Sequence, residues 1–214
     1  MKNHEERYEL KFILDEAKLS QAIHWLNTET SFTETFPKRR INSLYFDDIG
    51  YQSVRDNLAG IPHRKKTRLR WYGDIQSGDI QNLTLELKIK NGRLGHKVLF
   101  PMKKSSNIHT KDVSEIGSII EKNLASEKDG IKYIFDDYLF PTLFVEYNRN
   151  YLEDKLGIRV TIDSEISFRS PIPGTTLDES IRSSYPLYVM EIKFSSNMKI
   201  QVSKLLRTFS LTPK

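Results

Sequence analysis

The chain has 214 residues, a length typical of one large domain or two small ones, and its hydrophobic content of 38% can fill a core. It contains no cysteine, which excludes disulfides, thiolate catalysis and cysteine zinc sites, and its net charge of +5 is a mild bias toward anionic partners. No apolar run approaches the ~18 residues of a membrane span, and no signal-peptide core is present, so we expect a cytoplasmic protein.

An alternating strand opens the chain. Residues 7–13 alternate charged and apolar side chains, which predicts a strand with one polar face. Asp15 is a suitable N-cap for a helix over 16–27, whose apolar residues recur at helical spacing. The next predicted elements are a polar loop, a strand and a short helix, at 28–38, 41–47 and 51–57.

A basic strand follows at about 63–72. At two-residue spacing, Lys66, Arg68 and Arg70 fall on one face of it. Residues 83–90 alternate again, and Asn91-Gly92 predicts a hairpin turn into a strand at about 94–101.

The second half of the chain mixes helices and strands. We expect helix over 112–139, broken near Asp129-Gly130, and an amphipathic helix at about 198–209 that buries Ile200, Leu205, Leu206 and Phe209. Between them lie strands at 144–151, 158–163 and 188–194 and a loop at 170–186. These elements predict one α+β domain over 1–214, with antiparallel strands and helices packed outside.

The polar faces of the predicted strands carry more basic than acidic residues. The basic residues are Arg7, Lys11, Lys66, Arg68, Arg70, Lys88, Lys90, Arg149, Arg159 and Lys193, and the acidic ones are Glu9, Glu86, Asp163 and Glu191. Either the sheet is open with a wet basic face, or it closes into a barrel with a charged interior, and a barrel of about eight strands has room for a small ligand. Because charge inside a barrel is costly without a counter-ion, the closed form predicts a polyanion. Carboxylates within a cationic excess also suit a divalent metal that bridges phosphate oxygens.

Seven short motifs carry a family resemblance. They are Arg7-Tyr8-Glu9-Leu10-Lys11-Phe12, Ser43-Leu44-Tyr45-Phe46-Asp47, Arg68-Leu69-Arg70-Trp71-Tyr72, Leu85-Glu86-Leu87-Lys88, Val145-Glu146-Tyr147-Asn148-Arg149, Arg159-Val160-Thr161-Ile162-Asp163 and Glu191-Ile192-Lys193-Phe194. In order and spacing they resemble the VTC domain, the polyphosphate polymerase-type domain of the vacuolar transporter chaperone family. This family lies within the triphosphate tunnel metalloenzyme (CYTH-like) superfamily. The resemblance implies a closed eight-stranded antiparallel β-barrel, the triphosphate tunnel.

The resemblance also implies a reaction and a set of site residues. The implied reaction transfers the γ-phosphate of ATP to a polyphosphate chain, with Mn²⁺ or Mg²⁺. The implied catalytic residues are Lys11, Arg68, Arg70, Lys88 and Lys193. The implied phosphate-binding residues are Lys66, Lys90, Arg149 and Arg159. The implied metal ligand is Glu191, and Glu9 and Glu86 are further candidates, either for the metal or for orienting lysines. Such a reaction needs positioning and charge neutralisation more than a protein nucleophile.

Other functions stay open. The hydrolase and cyclase branch of the superfamily carries Glu-x-Glu-x-Lys on its first strand, whereas this chain has Arg7-x-Glu9-x-Lys11, which weakens the case for a triphosphatase. A domain that holds polyphosphate without turnover would use the same cations. A nucleic-acid binder would present Arg68 and Arg70 on an open surface, but the chain has no zinc-finger spacing, heptads or clear RRM signature, so we expect no nucleic-acid partner.

Overall fold

The computed structural model describes residues 7–74, 80–92, 94–102, 108–124 and 138–213, which contain nine strands and four α-helices. The strands are β1 (Arg7–Leu14), β2 (Thr33–Asp47), β3 (His63–Tyr72), β4 (Gln81–Asn91), β5 (Leu94–Pro101), β6 (Phe140–Glu153), β7 (Arg159–Arg169), β8 (Arg182–Ser184) and β9 (Tyr188–Ser195). The helices are α1 (Glu16–Thr28), α2 (Gln52–Leu58), α3 (Ile116–Leu124) and α4 (Lys199–Leu205).

The strands form one antiparallel sheet with the order β1-β9-β7-β6-β2-β3-β4-β5, and β8 pairs with β7. The predicted α+β class with antiparallel strands is therefore confirmed. The predicted closure into an eight-stranded barrel is wrong: within the described ranges, β1 and β5 end the strand order and do not pair with each other. Closure would need a hydrogen-bond ladder between these two strands.

Most predicted strands are confirmed, but the prediction of a polar loop over 28–38 is wrong for residues 33–38. Strand β2 already begins at Thr33, and Thr33 Oγ1 donates a hydrogen bond to the carbonyl of Glu153 at the end of β6, at 3.4 Å. The residues from Thr33 to Lys38 are exposed, so they show no apolar alternation. Their strand conformation comes from pairing with a neighbouring strand, which side-chain patterns do not report.

The helix predictions hold in part. Asp15 caps α1 as expected, because its Oδ1 accepts from the backbone N–H of Lys18 at 2.9 Å. The helix predicted over 112–139 begins later than expected: Val113–Glu115 is a 3₁₀ turn and α3 begins at Ile116. The predicted break near Asp129-Gly130 lies outside the described residues. At the C-terminal end, Ile200 is exposed and Val202 is buried. The predicted single helix is also divided: α4 has seven residues, and a short 3₁₀ turn follows it before Phe209.

The hairpin between β4 and β5 forms where Asn91-Gly92 predicted it. Asn91 pairs with Leu94, and Gly92 has a φ of +62°. This left-handed backbone conformation favours glycine because a Cβ atom would be strained there. The turn sets the register of the whole β4–β5 pair.

The chain divides into two compact units. The first unit comprises residues 1–39, 147–166 and 184–214, and the second comprises 40–146 and 167–183. The expectation of a single domain over 1–214 stays a prediction.

The core of the first unit lies between strands β1, β7 and β9 and helices α1 and α4. It contains Phe12, Leu14, Ala22, Trp25, Val160, Met190, Ile192, Val202 and Phe209, among others. The Trp25 ring lies 4.4 Å from that of Phe209, and Trp25 Nε1 donates to Thr208 Oγ1 at 2.9 Å. The helices thus cover the apolar face of these strands and leave the charged face uncovered by this core.

The core of the second unit packs α3 against strands β2, β3, β4 and β6. It contains Leu44, Phe46, Leu69, Trp71, Leu85, Ile116, Ile120 and Phe144, among others. The rings of Trp71 and Phe144 stack at 5.5 Å. Because Leu69 and Trp71 face this core, Lys66, Arg68 and Arg70 lie on the opposite face of β3, as the alternation predicted.

Candidate functional site

In the second unit, three lysines lie in a row across three strands. Lys66 of β3 is directly opposite Lys88 of β4, and Lys88 is directly opposite Lys97 of β5. Directly opposite residues share a face of the sheet, and like charges there repel one another. We call Lys66, Lys88 and Lys97 the lysine row. Lys88 is exposed and Lys66 is half-buried.

The next cross-strand row holds an arginine, a carboxylate and a phenol. Arg68 is opposite Tyr45 on one side and Glu86 on the other. Arg68 Nε donates to Glu86 Oε2 at 2.6 Å, and Arg68 Nη1 donates to the Tyr45 hydroxyl at 3.2 Å. Lys97 Nζ reaches the other Glu86 oxygen at 3.2 Å. Arg70, one row further, is 9% exposed and donates from Nε to Ser43 Oγ at 3.2 Å. We call Tyr45, Arg68, Arg70, Glu86 and Lys97 the arginine cluster.

The electrostatics of the arginine cluster report a cationic excess. Burial acts to raise the pKa of Tyr45, yet the charges of Arg68, Arg70 and Lys66 outweigh it and lower that pKa. Burial, together with Arg68 and Arg70, lowers the pKa of Lys97 even though Glu86 is in contact with it. The pKa of Glu86 is also lowered, because the neighbouring cations outweigh its burial. All three pKa values are lowered, as expected where cations outnumber anions. An additional negative charge bound at the arginine cluster would therefore be favourable.

Two further predicted site residues, Lys90 and Glu86, lie on β4. Lys90 is half-buried and lies opposite Arg64, near the hairpin end of the strands. Glu86 is buried, and its two oxygens accept from Arg68 and Lys97, an arrangement in which it orients these two cations.

Three further cations of this unit, Lys97, Arg40 and Arg169, have partners that the sequence analysis did not assign. Lys97 could have been found, because a two-residue turn after Asn91 aligns it with Lys88. Arg40 and Arg169 both bind Glu146, at 3.1 Å and 3.0 Å, and Arg169 also donates to the carbonyl of Asp178 at 3.0 Å. No local pattern pairs Arg40 or Arg169 with Glu146, since their partner is far away in the sequence.

In the first unit, two lysines and two glutamates form a compact group. Lys11 is opposite Glu191, and Glu9 is opposite Lys193. Lys11 Nζ lies 2.8 Å from Glu191 Oε1 and 3.1 Å from Glu9 Oε1. Lys193 Nζ donates to Glu191 Oε2 at 2.6 Å. We call Glu9, Lys11, Glu191 and Lys193 the glutamate cluster.

A buried ion pair adjoins the glutamate cluster. Arg149 donates to Asp163 through both Nε and Nη2, at 2.6 Å and 2.7 Å, and its Nη2 is 3.8 Å from Glu191 Oε2. Burial acts to lower the pKa of Arg149, but the Asp163 carboxylate outweighs it and the pKa lies above its ordinary value. The guanidinium is therefore held charged and in a fixed orientation.

The carboxylate of Glu191 is ionised far into the acid range. Although burial raises its pKa, Lys193 and Lys11 outweigh burial and lower the pKa of Glu191 to about 2. Burial acts to lower the pKa of Lys11, but the carboxylates of Glu191 and Glu9 outweigh burial and raise this pKa above its ordinary value. Arg159 of β7 lies directly opposite Lys193, at the edge of this group: its side chain is 53% exposed and pairs with Glu153 at 3.3 Å.

The carboxylates of these clusters are the groups that could hold the expected Mn²⁺ or Mg²⁺. Within the residues that the structure describes, no group of three histidine, aspartate or glutamate side chains is arranged to hold a metal ion. Mg²⁺ is commonly held by one or two carboxylates together with substrate phosphates and water. Glu191, ionised and next to Glu9, fits that mode, and it would hold the metal only together with phosphate oxygens.

The described helices include none that is both long and apolar enough to cross a bilayer.

Comparison with known proteins agrees with the sequence motifs. The family model described as the VTC domain matches residues 6–213. A search of curated proteins finds no match. Among solved structures, the chain is similar to HpAC1 from Hippeastrum, named as an adenylyl cyclase with a dominant triphosphatase activity. The identity is 14% and the TM-score 0.50, over 93% of this chain and 85% of that one.

Two further solved structures are less similar. The PH1819 protein from Pyrococcus horikoshii has 13% identity and a TM-score of 0.47, over 96% of this chain and 88% of its own. A protein from Vibrio parahaemolyticus, named as an adenylate cyclase, has 10% identity and a TM-score of 0.46, over 94% and 82%.

Proposed function

The chain belongs to the VTC domain family, and from this premise we propose that it binds triphosphate and polyphosphate and carries out metal-dependent phosphoryl transfer on them. The reaction we favour is that of a polyphosphate polymerase, in which the ATP γ-phosphate is transferred to a polyphosphate chain. The predicted catalytic and binding residues are kept as proposals for this function.

The lysine row is the observation that carries the proposal. Three ammonium groups at successive cross-strand positions repel one another, and an anionic ligand on this face would relieve that repulsion. Arg68 and Arg70 in the neighbouring rows add two guanidinium groups, and Glu86 offsets only part of this charge. Phosphate oxygens match such a set, since arginine binds them at two points and lysine supplies a point charge.

The burial of Arg70 favours a small anion over nucleic acid. Arg70 is 9% exposed, and the Arg68 side chain is 20% exposed. A nucleic-acid surface would present these residues openly. A triphosphate can reach partly buried cations because its charge is concentrated on a narrow chain of oxygens.

The glutamate cluster supplies the residues for the metal and for positioning. Bound Mn²⁺ or Mg²⁺ would neutralise charge that develops on the transferred phosphoryl group. Glu191 would be the protein ligand, and Lys11 and Lys193 hold its two oxygens in place.

A triphosphatase is the second candidate, and the structural similarity to HpAC1 favours it. Incubation of the protein with ATP and Mn²⁺, followed by detection of both polyphosphate and free phosphate, tests the proposal. Polyphosphate supports the polymerase, and free phosphate alone supports the triphosphatase.

A non-catalytic binding domain would give neither product and would still bind tripolyphosphate in a calorimetric titration. No binding would overturn the proposal. Lys66→Gln and Lys97→Gln should weaken that binding, whereas Lys38→Gln is the control, because Lys38 is an exposed cation paired with Glu165 outside both clusters.

A further inference from the structure

A buried hydroxyl group lies next to the glutamate cluster. Thr161 of β7 is directly opposite Glu191 of β9, and the residue is only 8% exposed. Its neighbours Val160 and Ile162 face the hydrophobic core, so the Thr161 side chain lies on the charged face. Within the described part of the chain, Thr161 Oγ1 has no hydrogen-bond partner.

An unpaired hydroxyl at this position is unfavourable in the free protein. Valine has nearly the same shape as threonine and would leave no buried polar group unsatisfied. The hydroxyl therefore contributes nothing evident to the stability of the fold. Its place on the charged face, beside the cations of the glutamate cluster, points to a bound ligand as the partner.

The surrounding groups restrict what this partner is. The two oxygens of Glu191 already accept from Lys11 and Lys193, and Asp163 accepts from Arg149 at two points. The Thr161 hydroxyl thus faces a group of cations whose carboxylate acceptors are engaged. An acceptor-rich anion is the ligand that both the cations and a hydroxyl donor can bind.

We propose that Thr161 Oγ1 donates a hydrogen bond to a phosphate oxygen of the bound triphosphate, an inference that rests on the proposed function. Thr161 is then a substrate-binding residue on the face that carries Glu191. This role also explains why position 161, between Arg159 and Asp163, holds a threonine although its burial alone would suit a valine.

The test compares Thr161→Val with Thr161→Ser in the whole chain. Tripolyphosphate is titrated calorimetrically, once with Mn²⁺ and once with EDTA, and thermal unfolding is measured without ligand. We expect Thr161→Val to lower the affinity about tenfold in both titrations, as expected for the loss of a hydrogen bond to a charged group. Its unfolding temperature should be equal to that of the wild type or higher, and Thr161→Ser should restore binding.

Thr30→Val is the matched control in the same unit. The Thr30 hydroxyl donates to the carbonyl of Leu26 at 2.6 Å, so this variant should lose stability and keep its affinity.

Several results would overturn the inference. Unchanged affinity of Thr161→Val with a normally binding wild type would overturn it and leave the proposed function standing. A loss seen only with Mn²⁺ would assign the hydroxyl to the hydration of the metal instead. A lower unfolding temperature with unchanged affinity would show a partner within the protein. A wild type that fails to bind would overturn the proposed function and this inference together.

Discussion

Arg149 and Asp163 form a two-point ion pair between β6 and β7, with distances of 2.6 Å from Nε to Oδ1 and 2.7 Å from Nη2 to Oδ2. Both side chains are largely buried, at 12% and 9% exposed. The Arg149 guanidinium also lies 3.8 Å from Glu191 Oε2, so this buried ion pair is next to the predicted metal ligand.

Asp163→Asn should destabilise the protein by about 3 kcal/mol, because it leaves the buried Arg149 charge without its main partner. Urea unfolding at neutral pH measures the change. Lys38→Gln removes one partner of an exposed pair and should cost less than about 1 kcal/mol. Equal effects of the two variants would contradict the assignment of Arg149 and Asp163 as a buried pair.

The double variant Arg149→Met/Asp163→Leu separates folding from binding at the same pair. Replacement of a buried ion pair by apolar residues is often neutral or stabilising, so its free energy of unfolding should recover much of the loss. Its affinity for tripolyphosphate should stay low, because the cation is gone. Full recovery of affinity would remove Arg149 from the phosphate-binding residues.

Stability should fall in acid as Glu191 is protonated. Its folded-state pKa of about 2 lies below the ordinary value of 4.5, so its contribution is fully present above pH 4.5 and is lost as the pH falls toward 2. The shift corresponds to about 3 kcal/mol. In urea unfolding at pH 5.5 and pH 3, Glu191→Gln should show a smaller decrease than the wild type. Parallel pH profiles would show that another carboxylate is responsible.

Arg68→Ala combined with Arg70→Ala should abolish tripolyphosphate binding. From the sequence alone we expect the fold to stay intact or gain stability, because like charges are removed. The structure changes the second expectation: Arg68 is a partner of buried Glu86, so its removal should cost about 1–3 kcal/mol. Adding Glu86→Gln should return part of this stability without returning affinity. Binding that survives the loss of both arginines would contradict the role of the arginine cluster.

Triphosphate binding should be accompanied by proton uptake at alkaline pH, below the ordinary lysine pKa of 10.5. Burial, Arg68 and Arg70 lower the pKa of Lys97 in the free protein, and a bound polyanion raises it again. Calorimetric titrations in two buffers with different ionisation enthalpies measure the protons taken up. Lys97→Arg keeps the charge and should remove the uptake, whereas an unchanged value would exclude Lys97 as its source.

Local patterns predicted the faces of the strands well and the partners across them poorly. The alternation placed Arg68 and Arg70 on one face of β3 and Leu69 and Trp71 on the other, and the structure confirms this arrangement. The same alternation left Glu86 open as a metal ligand or an orienting residue, and it could not show that its two oxygens accept from Arg68 and Lys97. An ion pair depends on the register between strands, which only a short turn such as the one after Asn91 specifies locally.

The sequence by itself determined the VTC family, the antiparallel α+β class and the cationic faces, because two-residue alternation and motif order are properties of the chain alone. Only the tertiary structure decided that the sheet does not close, because closure depends on hydrogen bonds between β1 and β5, which are far apart along the chain. It also decided which cations meet carboxylates and which meet other cations. The lysine row and the unpaired Thr161 hydroxyl are visible only after the strands are placed in register.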